Sequence, residues 1–73
     1  MSIKMYPNPF HDHIQITIDT PSSLKIYDTY GKIYHEQLLF SDNKINVSDL
    51  PTGMYYIEII NKLGSKQFIG IKE

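Results

Sequence analysis

The 73-residue chain contains no cysteine, no tryptophan and no arginine. Without cysteine, neither a disulfide nor a thiolate-bound zinc can staple so small a domain. All seven basic residues are lysines, spread along the chain against eight acidic residues for a net charge of −1. That balance lacks the basic stripe of a nucleic-acid binder. No apolar run exceeds four residues, Met54 to Ile57 being one, so none is long enough for a membrane-spanning helix. The N-terminus lacks the apolar core of a signal peptide. Export would therefore rely on a signal elsewhere in a longer polypeptide, with Met1 and Ser2 read as additions in front of the natural segment. No window carries an i, i+3, i+4 apolar stripe flanked by caps, which argues against helices. Seventy-three residues make one domain at most, near the lower limit for a self-supporting core.

What is present has a period of two. Ile14, Ile16 and Ile18 alternate with Gln15, Thr17 and Asp19, and Leu24 and Ile26 flank Lys25. Ile45 and Val47 flank Asn46; Tyr55, Ile57 and Ile59 alternate with Tyr56 and Glu58; Ile69 and Ile71 flank Gly70. Alternation of this kind reads as strands with one buried face. Turn residues punctuate it at regular intervals: Tyr6 to Pro9, Thr20 to Ser23, Thr29 to Lys32, Ser41 to Asn43, Leu50 to Gly53 and Leu63 to Ser65. Strands are expected at about 2–6, 13–19, 23–29, 32–39, 43–48, 54–61 and 66–72. The fold class is all-β, a small seven-stranded immunoglobulin-like β-sandwich with minimal loops. In the fourth strand Ile33, Tyr34, Leu38, Leu39 and Phe40 break parity, which predicts a bulge or a change of sheet near Glu36-Gln37.

Candidate chemistry is sparse. In a strand, His11 and His13 would share a face with Asp12 opposed, but two imidazoles fall short of a four-ligand structural site. His11-Asp12-His13 reads instead as a solvated loop entering a strand. Asn46-Val47-Ser48 has the N-glycosylation pattern, yet its place at a strand-to-turn boundary suits Ser48 or Asp49 as a hydrogen-bond partner for the turn backbone. Tyr27, Tyr34 and Tyr56 fall on the outward parity and Tyr30 in a turn; they read as sheet-surface residues with some capacity for partner contact. No nucleophile motif such as Gly-x-Ser-x-Gly occurs, and a sandwich this small has little room for a cleft. Neither an enzyme, a cofactor nor a small-molecule substrate is expected.

Two segments are more specific. In Tyr6-Pro7-Asn8-Pro9-Phe10 the prolines exclude helix and ladder pairing and predict an extended, rigid lead-in. In Asn46 to Tyr56, Pro51 ends one strand and Gly53 supplies a backbone shape that a Cβ would resist before the next begins. Between them lie Ile26-Tyr27-Asp28-x-x-Gly31-Lys32, and after them a lysine-bearing last strand.

In this order and spacing the segments resemble the C-terminal sorting domain of the type IX secretion system, type A (the Por secretion system sorting domain), from Lys4 to about Lys72. The resemblance implies a small seven-stranded β-sandwich, which agrees with the independent reading, and a non-enzymatic sorting signal. It implies a cargo domain fused on the N-terminal side and a protein exported through the periplasm. Its partners would be the type IX outer-membrane translocon and associated shuttle proteins, and it would end at the cell surface or in the medium. A surface sortase would remove the domain upstream of Tyr6 and attach the cargo to lipopolysaccharide, or the cargo would be released. By position, Tyr6, Pro7, Asn8, Pro9 and Phe10 match the lead-in motif, Gly31 the middle turn, and Leu50, Pro51, Gly53 and Tyr55 the second hallmark turn. Residues 66–73 resemble the terminal strand read by the machinery, with Lys66 and Lys72 orienting the encounter by charge and the strand edge offering main-chain groups to another sheet. At this end the chain departs from the pattern: Gly70 replaces a strand former, and Glu73 closes the segment. The competing reading is an accessory carbohydrate- or partner-binding sandwich retained on a secreted protein. A weak metal-binding domain using His11 and His13 is third.

Overall fold

Each stretch of alternating apolar residues forms a strand in the computed structural model, which describes residues 2–73; Met1, read above as an addition, lies outside them. The strands are β1 (Lys4–Tyr6), β2 (His13–Thr17), β3 (Ser22–Asp28), β4 (Ile33–Leu39), β5 (Asn43–Asn46), β6 (Gly53–Asn61) and β7 (Gly64–Lys72). They form two antiparallel sheets, β1-β2-β5 and β4-β3-β6-β7. An immunoglobulin constant domain keeps its fourth strand beside the first, second and fifth. Here β4 stays with β3 because their hairpin is tightly bonded. Asp28 Oδ1 accepts the N–H groups of Tyr30 (2.8 Å) and Lys32 (3.0 Å), and the Gly31 N–H donates to the Asp28 carbonyl.

The inner faces supply the core. Ile14, Ile16, Ile45 and Val47 come from the small-sheet side, and Leu24, Ile26, Leu39, Tyr55, Ile57 and Ile59 from the large sheet. Ile3, Phe10 and Leu50 enter from segments outside the strands. Burying each large aliphatic chain contributes about 1.5–3 kcal/mol. Strands this short hold only because both inner faces are used.

Two expectations of parity change. The bulge in β4 falls at Tyr34, not at Glu36-Gln37: Ile26 pairs with His35 and Tyr27 with Ile33, leaving Tyr34 as the extra residue. Its ring sets an edge against Tyr55, with centroids 5.6 Å apart at 85°, so Tyr34 packs on the core instead of facing outward. Tyr27 and Tyr56 do lie on the outer face, stacked on each other at 5.3 Å. In β7 the alternation is inverted. Ile69 and Ile71 are 54% and 40% exposed, whereas Gly70 and Lys72 are buried. Pairing with β6 imposes this: directly opposite residues share a face. Buried Tyr55 and Ile57 stand opposite Gly70 and Phe68, and outward Met54 and Tyr56 opposite Ile71 and Ile69.

Strand alternation beyond the bulge makes two neighbouring leucines unequal. Leu39 is fully buried and Leu38 is exposed. Leu39→Ala should cost about 2–5 kcal/mol in urea unfolding, and Leu38→Ala no more than about 0.5 kcal/mol. Equal losses would show that the pairing of β4 on β3 does not set Leu39 inward and Leu38 outward.

Candidate recognition site at one end of the sandwich

The lead-in segment folds back onto the outer edge of β7. Neither Pro7 nor Pro9 has an N–H to offer. Asn8, between them, bonds through its side chain: Nδ2 donates to the Ile69 carbonyl (2.9 Å), and Oδ1 accepts from the Ile71 N–H (3.1 Å). Phe10 continues with its backbone, its N–H donating to the Ile71 carbonyl (2.8 Å) and its carbonyl accepting from the Glu73 N–H (2.9 Å). The segment is therefore a paired strap and not the unpaired, extended lead-in expected from its prolines. It also occupies the edge of β7 from Ile69 to Glu73, where main-chain groups were expected to be open to another sheet.

The Phe10 ring is fully buried. It lies over Gly70, where a Cβ would come within 2.8 Å of Phe10 Cε1 and of Ile57 Cδ1. Gly70 is thus the residue that makes room for an aromatic ring sixty residues upstream. Phe10 and Tyr55 also meet, with centroids 6.5 Å apart. The two motifs and the last strand converge on one end of the sandwich.

The second hallmark turn has its own geometry. Tyr55, near the start of β6, donates its O–H to the Pro51 carbonyl at 2.6 Å, four residues upstream. This is the tyrosine corner of immunoglobulin-like sandwiches. Leu50 is buried beneath it, and the Leu50 N–H donates to the Val47 carbonyl (3.1 Å). Gly53 sits at φ +146° and Gly31 at φ +87°, conformations a Cβ disfavours. The acceptor for the turn backbone is Asn46, not Ser48 or Asp49: its Oδ1 takes both the Ser48 N–H (2.9 Å) and the Ser48 hydroxyl (2.7 Å). Burial pushes the Tyr55 phenol above its ordinary value, with Tyr34, Asp28 and Asp49 adding smaller effects.

The remaining candidates separate. Tyr6 is half-exposed and pairs with Gln15 at the end of β1. Lys66 is exposed; its amine lies 3.4 Å from the Ile3 carbonyl and 5.2 Å from the Phe68 ring centroid. Lys72 is only 9% exposed, because it shares the inward parity of Phe68 and Gly70. It is poorly placed to steer an encounter by charge. His13 begins β2 and His11 precedes it, so the two do not share a strand face. His13 is 2.9 Å from Asp12, and that hydrogen bond holds the Asp12 carboxyl below its usual range; His11 is 3.7 Å from Glu73. Among the described residues no three His, Cys, Asp or Glu side chains converge as a metal site would require.

The family model described as "Secretion system C-terminal sorting domain" matches residues 4–72. The chain belongs to this family. Among curated proteins, none matches it. The sorting domain is a type IX secretion signal, and the family is one of sorting signals, not of enzymes. Its role is with the type IX secretion system and a cargo on its N-terminal side, and the protein that carries it is a secreted one. Within the sorting domain, sequence reading found the motif positions but missed what Asn8 and Gly70 do. The signal for Asn8 is its place between two residues without N–H groups. Gly70 has none in sequence, since its neighbour Phe10 is brought to it only by folding.

Gly70→Ala should destabilise by about 1–3 kcal/mol through overpacking. Adding Phe10→Leu should recover part of that loss, and simple additivity of the two changes in a double-mutant cycle would refute the contact. Tyr55→Phe should cost about 1 kcal/mol at neutral pH by loss of the corner hydrogen bond. The folded state holds the Tyr55 proton more tightly than the unfolded chain. Stability is therefore undiminished below pH ~10 and falls as pH rises from there through the folded value. Denaturant titrations should show that alkaline loss reduced in Tyr55→Phe.

Proposed function

We propose that the folded domain is the address itself: a rigid, non-reactive shape that the outer-membrane translocon and its shuttle proteins recognise, carrying the N-terminally fused cargo across. The observation that supports this reading is the joining of the two family motifs to the last strand at one end. Asn8 and Phe10 clamp β7, and Phe10 meets Tyr55 and Gly70. Pro7, Pro9, Gly31, Leu50, Pro51, Gly53 and Tyr55 act by building this shape. Tyr6 and Lys66 remain on its surface for contact. After passage, a surface sortase cleaves upstream of Tyr6 and transfers the cargo to lipopolysaccharide, or the cargo is released. With β7's terminal edge covered by residues 8–10, recognition uses side-chain surface more than strand addition at that edge.

A reporter directed to the periplasm and fused ahead of residues 2–73 tests the proposal in a host that has the translocon. The reporter should appear at the surface and lose a tag of nearly the 8.5 kDa of the whole 73-residue chain. Retention in the periplasm with the domain folded and attached would instead mark an accessory binding module. The destabilised Gly70→Ala fusion should be exported less well, and Gly70→Ala with Phe10→Leu should regain export in step with its stability.

A further inference from the structure

The outer face of the β4-β3-β6-β7 sheet has no cover among the described residues, and its pattern is ordered. Cross-strand pairing sets it out in rows. One row is Leu38, Ser23, Ile60 and Ser65. The next is polar: Glu36, Lys25, Glu58 and Gln67. The third is apolar: Ile33, Tyr27, Tyr56 and Ile69. Met54 and Ile71 extend it. Ile33, Ile69, Met54 and Ile71 are exposed despite their size, and Tyr27 and Tyr56 stack between them. A contiguous apolar patch of this kind is often an interaction site.

The charges in the polar row say what fits. Along the row the sign runs negative at Glu36, positive at Lys25, negative at Glu58 and neutral at Gln67. We propose that this face packs against the same face of a second copy about a two-fold axis that lies between β3 and β6 and runs parallel to the strands. That axis keeps each row over its own counterpart while exchanging β3 with β6 and β4 with β7. Lys25 of each copy then faces Glu58 of the other, Tyr27 faces Tyr56, and Ile33 faces Ile69. A two-fold axis across the strands would set Lys25 on Lys25 and Glu58 on Glu58, which repel. The charge row therefore selects one arrangement and penalises the other. It is also the isologous geometry that closes at two copies.

Size sets the strength. Four strands ~4.8 Å apart and four rows ~7 Å apart give a face of roughly 500 Å² per copy. The total of about 1,000 Å² lies at the lower end for specific interfaces, so the dimer is a transient one. The inference does not depend on the sorting role.

Sedimentation velocity and light scattering on the 73-residue chain test it, over protein concentrations from about 10 μM to about 1 mM. The wild-type chain should pass from one copy to two within that range. Lys25→Glu and Glu58→Lys should each raise the midpoint by about tenfold, and Lys25→Glu with Glu58→Lys should bring it back towards wild type. Ile69→Asp should abolish association. Thermal melts of each variant establish that the monomer is folded. A wild-type chain monomeric throughout the range would overturn the proposal. So would a double charge reversal that associates no better than the single ones, or an Ile69→Asp chain that associates normally. If wild type stays monomeric while a folded Ile69→Asp fusion loses export, the face belongs to a partner of the export machinery and not to a second copy.

Discussion

The packing of Phe10 on Gly70 is the constraint on which this end of the sandwich depends. It closes the gap between the short β1-β2-β5 sheet and the terminal strand of the larger one. An aromatic ring fills that gap only if residue 70 has no side chain, and only if residues 8–10 run along the edge of β7. The inward parity of Gly70 then turns Ile69 and Ile71 out and Lys72 in. The exposed chemistry at the end of the last strand, beyond Lys66, is thus apolar rather than basic. A glycine that looks like a weakness in an isolated strand is here the residue that lets the strand be capped.

A domain of this size, with no disulfide, needs many small ties. Side-chain amides and carboxylates make them at almost every connection. Asn8 clamps the lead-in, Asp28 the β3–β4 hairpin, Asn46 the turn after β5, and Asn61 the β6–β7 turn, where it accepts the Leu63 N–H at 2.8 Å. Asp42 reaches across to the Ile18 N–H at 2.9 Å. Each is worth about 0.5–1.5 kcal/mol net. Together with the tyrosine corner they hold loops of minimal length in one geometry. Rigidity of this kind suits a signal that is recognised as a folded shape, because little ordering remains to be done when a partner binds.

His11 and His13 contact different carboxylates, and His35, in β4, lies 3.2 Å from Asp49 in the turn between β5 and β6. The family's role as a sorting signal agrees with a molecule whose distinctive parts are a covered edge, a filled corner and an uncovered sheet face.

By itself the sequence determined the class of the fold, the seven strands, their turns and the family. Those follow from local rules: a period of two, proline and glycine punctuation, and motif spacing along the chain. It also placed Gly31 and Gly53 where a turn requires them, since backbone shape is local. Only the tertiary structure decided which face of β7 is inside, where β4 bulges, and what Asn8, Phe10 and Gly70 do together. The physical reason is that each depends on a neighbour far away in sequence. The parity of β7 is set by its pairing with β6, the bulge by the Tyr55 ring that Tyr34 packs against, and the clamp by a strand edge some sixty residues downstream of Asn8.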